Sequence, residues 1–179
     1  TMFTRLEGQE ILVTVYTNCD KLELFLNGES LGAKAIEKYG HGEWNVPYVP
    51  GTLCVKGYRN GELVAQDSRT TTKKPEKLRL TLQNQFEANG RDLAVFTCEC
   101  LDEDGRVVPD AEEFVSFSAA APATIVGTGS DNTDHNKVSL TDRKMYMGKI
   151  AIAVKPMAGQ THLELVARSA NCGSTIFKM

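Results

Sequence analysis

Carboxylates are the densest chemically capable groups in this 179-residue chain. Asp102-Glu103-Asp104 and Glu112-Glu113 are the clustered acidic sets. Acid–base catalysis by a carboxylate pair needs two such groups whose environments drive their pKa values apart. Asp102-Glu103-Asp104 runs straight into Gly105, and Asp and Gly in that setting serve turn geometry. The expectation for this set is a solvated hairpin turn, with no catalytic residue.

Other motifs fail on spacing. Gly127-Thr128-Gly129-Ser130 lacks the third glycine of a dinucleotide fingerprint, because Asn stands at position 132, and no helix pattern follows it. Ser130 is not flanked as a nucleophile elbow requires. Asp131-Asn132-Thr133-Asp134-His135-Asn136 is the richest polar cluster, but it lacks the alternating ligands and central glycine of an EF-hand loop. It reads as a long solvated loop, with a cation or sugar contact as the alternative. His41, His135 and His162 have no zinc-type partner spacing. The five cysteines, Cys19, Cys54, Cys98, Cys100 and Cys172, are odd in number and scattered, which favours buried thiols over a disulfide framework. A bridge or two stays open. Cys98 and Cys100 are two apart on one strand face, which is core spacing and not a redox Cys-x-x-Cys.

The single tryptophan, Trp44, has two readings. With Tyr39, Tyr48 and Tyr58 near it in sequence, it can stack on a sugar ring. Alternating with Val46 and Tyr48, it can instead fill a core between two sheets. The residues to examine for carbohydrate contact are therefore Trp44, Asp131, Asn132, Asp134 and His135. The sequence nominates no catalytic residue, no metal ligand and no cofactor site.

The elements that must position these groups are strands. Apolar residues alternate through Ile11–Thr17 and Leu22–Leu26, the period of a half-buried strand, and Ser30–Ile36, Trp44–Tyr48, Gly51–Tyr58 and Glu62–Arg69 are the further strand candidates of this half. Asn27-Gly28 and Asn60-Gly61 are favoured two-residue hairpin turns. Thr70-Thr71-Thr72-Lys73-Lys74-Pro75 is polar and ends in Pro, which marks a boundary between residues 1–74 and 75–179. Further strands are expected at 78–82, 93–101, 114–119, 124–127, 149–154, 161–167 and 175–178. Asp104-Gly105 makes a turn after the second of these. Turn signals at this spacing predict an all-β chain of two immunoglobulin-like β-sandwich domains in tandem.

A net charge of −3 argues against the clustered basic surface of a nucleic-acid binder. No apolar run approaches the ~18 residues of a membrane helix, and no leader pattern opens the chain. The acidic excess lies wholly in residues 75–179, with 14 acidic against 11 basic groups.

Several motifs then fall in a collinear order that closely resembles the domains following the catalytic barrel of bacterial family 2 glycoside hydrolases, the β-galactosidases especially. They are Tyr16-Thr17-Asn18-Cys19-Asp20, Leu24 to Gly32, Trp44 to Leu53 and Gly57 to Gly61, followed by Ala88-Asn89-Gly90-Arg91-Asp92-Leu93-Ala94, Leu101 to Pro109, Ile125-Val126-Gly127, and Arg143 with Gly148. The loop Gly129-Ser130-Asp131-Asn132-Thr133-Asp134 departs from the Gly-Asn-Gly-Asp-Pro of many relatives, so no ligand role carries over to it. The resemblance implies a non-catalytic accessory region. Its partners would be the catalytic barrel and jelly-roll domains of a parent chain, and the parent a retaining glycosidase, homo-oligomeric in some cases, in a bacterial periplasm or outside the cell. The alternatives are a module recognising galactose-containing glycans and an immunoglobulin-like adhesion module.

Overall fold

Alternation of apolar and polar residues gives each strand one face to bury, and burying it requires a second sheet. The computed structural model describes residues 7–131 and 134–179. Contacts divide the chain into two compact units, Thr1–Thr71 and Thr72–Met179. Among the described residues every helix or strand element is a strand, so the chain is all-β.

The first unit holds β1 (Glu10–Tyr16), β2 (Lys21–Leu26), β3 (Glu29–Ala35), β4 (His41–Pro47), β5 (Thr52–Arg59) and β6 (Glu62–Thr70). β1 and β4 pair antiparallel, with Val13 opposite Trp44, and the other four form a sheet in the order β3-β2-β5-β6. Leu22, Leu24, Trp44 and Val46 are the buried centre, with Ile11, Val13, Val15, Leu53 and Val55 packed around them. The alternate residues Leu12 and Tyr16 of β1 are exposed. Asn27 and Gly28 have φ of 51° and 88°, and Asn60 and Gly61 have 52° and 84°. These are the doubly positive values that make Asn-Gly the preferred closure of a two-residue hairpin.

Trp44 explains one glycine. Gly42 lies two residues earlier on the same face of β4, and a Cβ there would stand 2.6 Å from two carbons of the indole. The ring lies across the space that a side chain at position 42 would need.

The second unit holds β7 (Lys77–Leu82), β8 (Ala94–Leu101), β9 (Phe114–Ala119), β10 (Thr124–Gly129), β11 (Asp142–Lys144), β12 (Lys149–Lys155), β13 (Glu164–Ser169) and β14 (Gly173–Lys178). They form two four-stranded sheets, β10-β12-β8-β7 and β11-β9-β13-β14, in the manner of an immunoglobulin-like sandwich. Ala94, Phe96, Cys98 and Cys100 of β8 all point inward and are fully buried. They meet Val115, Phe117, Ile150, Ile152, Val154 and Leu165 in one core. Phe96 packs edge-on against Phe177, with ring centroids 4.9 Å apart. β11 has no counterpart among the strands expected from alternation. Its three residues are all charged, and it forms through its pairing with β9.

Gly42→Ala is expected to destabilise the first unit by about 2 kcal/mol, the ordinary cost of overpacking a fitted core. Trp44 is the single tryptophan, so its fluorescence during denaturant unfolding reads that unit alone. An unchanged midpoint would show that the indole does not occupy this space.

Candidate functional site

The polar cluster in the second unit is organised around a buried cation. Arg143, in the middle of β11, is 3% exposed. Its Nε donates to Thr128 Oγ1 at 2.9 Å, its Nη2 to the Lys137 carbonyl at 2.8 Å, and its Nη1 to the Asp134 carboxylate. Thr128, 4% exposed, passes its own proton to the Leu140 carbonyl at 2.7 Å, and its backbone N–H donates to the Val138 carbonyl at 2.8 Å. A single guanidinium thus satisfies groups from β10 and from two points of the connection. Burying a charge demands this degree of pairing.

Asp134 is held as firmly. It accepts the backbone N–H of Asn136 at 3.0 Å, the Asn136 side-chain amide at 2.9 Å and the Ser130 hydroxyl at 3.1 Å, besides Arg143. The Asn136 backbone donor first, and then the guanidinium, hold its carboxyl far below the usual carboxylate range. Beside this network lies a shallow depression of about 200 Å³, to which Ser130, Asp131 and Asn136 contribute together with Glu112, Lys144 and Tyr146. Lys144 Nζ pairs with Glu112 at 2.5 Å, and Tyr146 is 51% exposed.

The residues singled out from sequence do not converge on one place. Asp131 and Asp134 line the depression, whereas His135 is exposed and is not among its lining residues. Asn132 lies outside the described residues. Trp44 belongs to the first unit, where it is 6% exposed. Lys34 Nζ sits 5.1 Å from its ring centroid, and the buried indole Nε1 has no hydrogen-bond partner. It is placed as a core residue. Lys144 and Tyr146 escaped notice in the sequence, and Glu112 was noted only as part of an acidic pair, because their proximity to the cluster depends on the pairing of β11 with β9. The one available signal was Arg143 with Gly148, which brackets Tyr146.

One expectation requires correction. Asp102 sits at the hairpin turn but is not solvated: it is 0% exposed. Its carboxylate accepts the backbone N–H of Arg106 at 2.8 Å and of Lys73 at 3.1 Å. Burial works against its charge, but these two donors prevail and hold the carboxyl below its ordinary range. Arg106 and Lys73 do the same for Asp104. Glu113 accepts the Ser169 hydroxyl at 2.8 Å and the Asn171 amide at 3.0 Å. Carboxyls stabilised as anions are poor proton donors at neutral pH, and a general acid needs the opposite shift. Among the described residues, no group of three or more His, Cys, Asp or Glu is placed to hold a metal ion.

Known proteins place both units. Residues 78–178 match the family model described as glycoside hydrolase family 2 C-terminal domain 5, and residues 8–65 match a domain of unknown function, DUF4982. The chain belongs to the family of glycoside hydrolase family 2 C-terminal domains. The β-galactosidase BoGH2A of Bacteroides ovatus is 32% identical over 176 residues, which cover 96% of this chain and 21% of that protein. A putative β-glucuronidase of Formosa agariphila is 34% identical over 151 residues, covering 80% of this chain and 14% of its own length. A crystal structure of a family 2 member from Bacteroides cellulosilyticus superposes with a TM-score of 0.93 at 32% identity, over 97% of this chain and 24% of that one. The chain therefore spans about a fifth of the length of its β-galactosidase relative.

The lowered carboxyl of Asp134 makes a pH prediction. The stabilisation it provides is complete above the unfolded carboxylate pKa, about 3.9, and is lost as the pH falls from there toward the folded value. Wild-type Tm should drop on acidification below about pH 4, and Asp134→Asn should lower Tm at pH 7 while flattening that drop. Calorimetry from pH 3 to 7 checks this. Parallel profiles for the two proteins would refute it.

Proposed function

We propose that the chain is the non-catalytic C-terminal region of a family 2 glycoside hydrolase of the β-galactosidase or β-glucuronidase type. Its two sandwiches serve as rigid modules that pack on the catalytic barrel and steady it. The observation that carries this reading is coverage: nearly all of this chain aligns with only a fifth of a glycosidase. The state of the acidic residues adds support. A retaining glycosidase sets two carboxyls ~5–5.5 Å apart with one kept protonated. Here Asp102 and Asp134 are committed as anions to backbone donors and, for Asp134, a buried guanidinium. The parent's barrel and jelly-roll domains are the partners of this reading.

A second reading, a carbohydrate contact, rests on the depression of the second unit. The half-exposed ring of Tyr146 borders Asp131 and Asn136 there, which combines an apolar platform with hydroxyl-binding groups. The indole of Trp44 is not offered to solvent in the same way.

The purified chain is expected to release no chromophore from aryl β-galactoside or aryl β-glucuronide above the buffer rate. Turnover that scales with protein concentration and survives repurification would overturn the accessory reading. For the second reading, affinity electrophoresis in a galactan gel should retard the chain, with the retardation lost in Tyr146→Ala. Equal mobility with and without the polysaccharide rejects it.

A further inference from the structure

The structure assigns Cys100 and Cys172 as partners in a disulfide that ties the two sheets of the second unit together. Both are thiols as described. Cys100 is fully buried and Cys172 is 5% exposed, and their sulfurs are 3.4 Å apart. Cys100 is the penultimate residue of β8 in one sheet, and Cys172 lies in the turn between β13 and β14 of the other. The two residues are 72 positions apart in sequence, so nothing local brings them together.

Each side is fixed independently. Cys100 donates its backbone N–H to the Gly148 carbonyl at 2.9 Å, and its own carbonyl accepts Val108 N–H at 2.9 Å. On the other side, Glu113 anchors the turn through the Ser169 hydroxyl and the Asn171 amide, and Ser169 Oγ in turn accepts Cys172 N–H at 3.4 Å. A disulfide bond is about 2.05 Å long, so the sulfurs must close by roughly 1.4 Å, within reach of small side-chain rotations. Cys98 shares the inward face of β8 and is the competing partner, but the sulfur contact is made by Cys100.

The bond needs an oxidant, which we name as a disulfide: an oxidoreductase of an oxidising compartment, or oxidised glutathione. A thiolate of the pair attacks that disulfide, forming a mixed disulfide and expelling one oxidant thiolate. The second cysteine, once deprotonated, displaces the remaining oxidant sulfur. One Sγ–Sγ bond forms and the oxidant's S–S bond breaks. Two electrons end on the oxidant, and the two cysteine protons end on its released thiolates or in solvent. Burial pushes both thiols up, and Cys98 up to about 12, so the folded pair presents little thiolate for exchange. Exchange therefore belongs to folding, before the sheets close. A loop of this length is also one in which a cross-link restricts the unfolded chain substantially.

The test is to refold the full chain from denaturant in a glutathione redox buffer, trap free thiols by alkylation under denaturing conditions, and digest with trypsin followed by a Glu-specific protease. Cleavage after Glu99 separates Cys98 from Cys100, while Cys172 falls in the tryptic peptide 169–178. The expected product links Cys100 to Cys172 and leaves Cys19, Cys54 and Cys98 alkylated, with a Tm about 10 °C above that of the reduced protein. Cys172→Ala should abolish the difference between oxidising and reducing conditions. Alkylation of all five cysteines, a Cys98–Cys172 linkage, or a redox-dependent Tm that persists in Cys172→Ala would each overturn the assignment. None of these outcomes depends on glycosidase activity in a parent protein.

Discussion

The guanidinium of Arg143 is the interaction on which the polar end of the second unit depends. A cation buried in a sandwich is tolerated only when its donors are consumed, and here they reach Thr128 on β10, the Lys137 carbonyl and Asp134. The consequences are structural before they are chemical. β11, three charged residues with no apolar periodicity, is a strand because it pairs with β9 while its central side chain is needed beneath the loop. Val138 and Leu140 are held to β10 by Thr128, whose backbone N–H and hydroxyl donate to their carbonyls. The depression is what remains beside that network once the loop is pinned.

The same economy governs the other acidic groups. Asp102 is buried and functions as a backbone acceptor that joins the segment at Lys73 to the turn at Arg106. Glu113 ties β9 to the turn between β13 and β14. Acidic residues that look like reagents when read in line are, in three dimensions, fasteners between segments. The lowered carboxyls of Asp102 and Asp134 follow from that employment: donors collected to hold an anion in place also keep it an anion.

What could be read from the chain alone was whatever is decided locally. Asn27-Gly28 and Asn60-Gly61 announce their hairpins because positive φ is a property of the residues themselves. The inward face of β8 is legible because Phe96, Cys98 and Cys100 alternate with Thr97 and Glu99. The core position of Trp44 was one of two readings; the residue is buried, and Gly42, whose missing side chain leaves room for the indole, accommodates it there. The burial of Arg143 and Asp102 was not legible, because an arginine and an aspartate are ordinarily exposed and their partners come from elsewhere in the chain: Lys73 lies 29 positions from Asp102, and Thr128 lies 15 from Arg143. The contact between Cys100 and Cys172 is more remote still, since spacing alone cannot choose among pairings of five cysteines.

The four-stranded sheet of the first unit ends in β3 and β6, both exposed along their whole length, with Leu63 and Val64 half-open to solvent. Bare edges of this kind invite another chain to extend the ladder. Each edge, however, meets its inner neighbour across a register shift, one at Glu23/Phe25 and the other at Gly57/Tyr58. A bulge twists and kinks the strand that carries it, so a straight incoming segment finds its amides out of step after a few residues. A sheet interrupted in this way on both flanks is a poor template for a further strand.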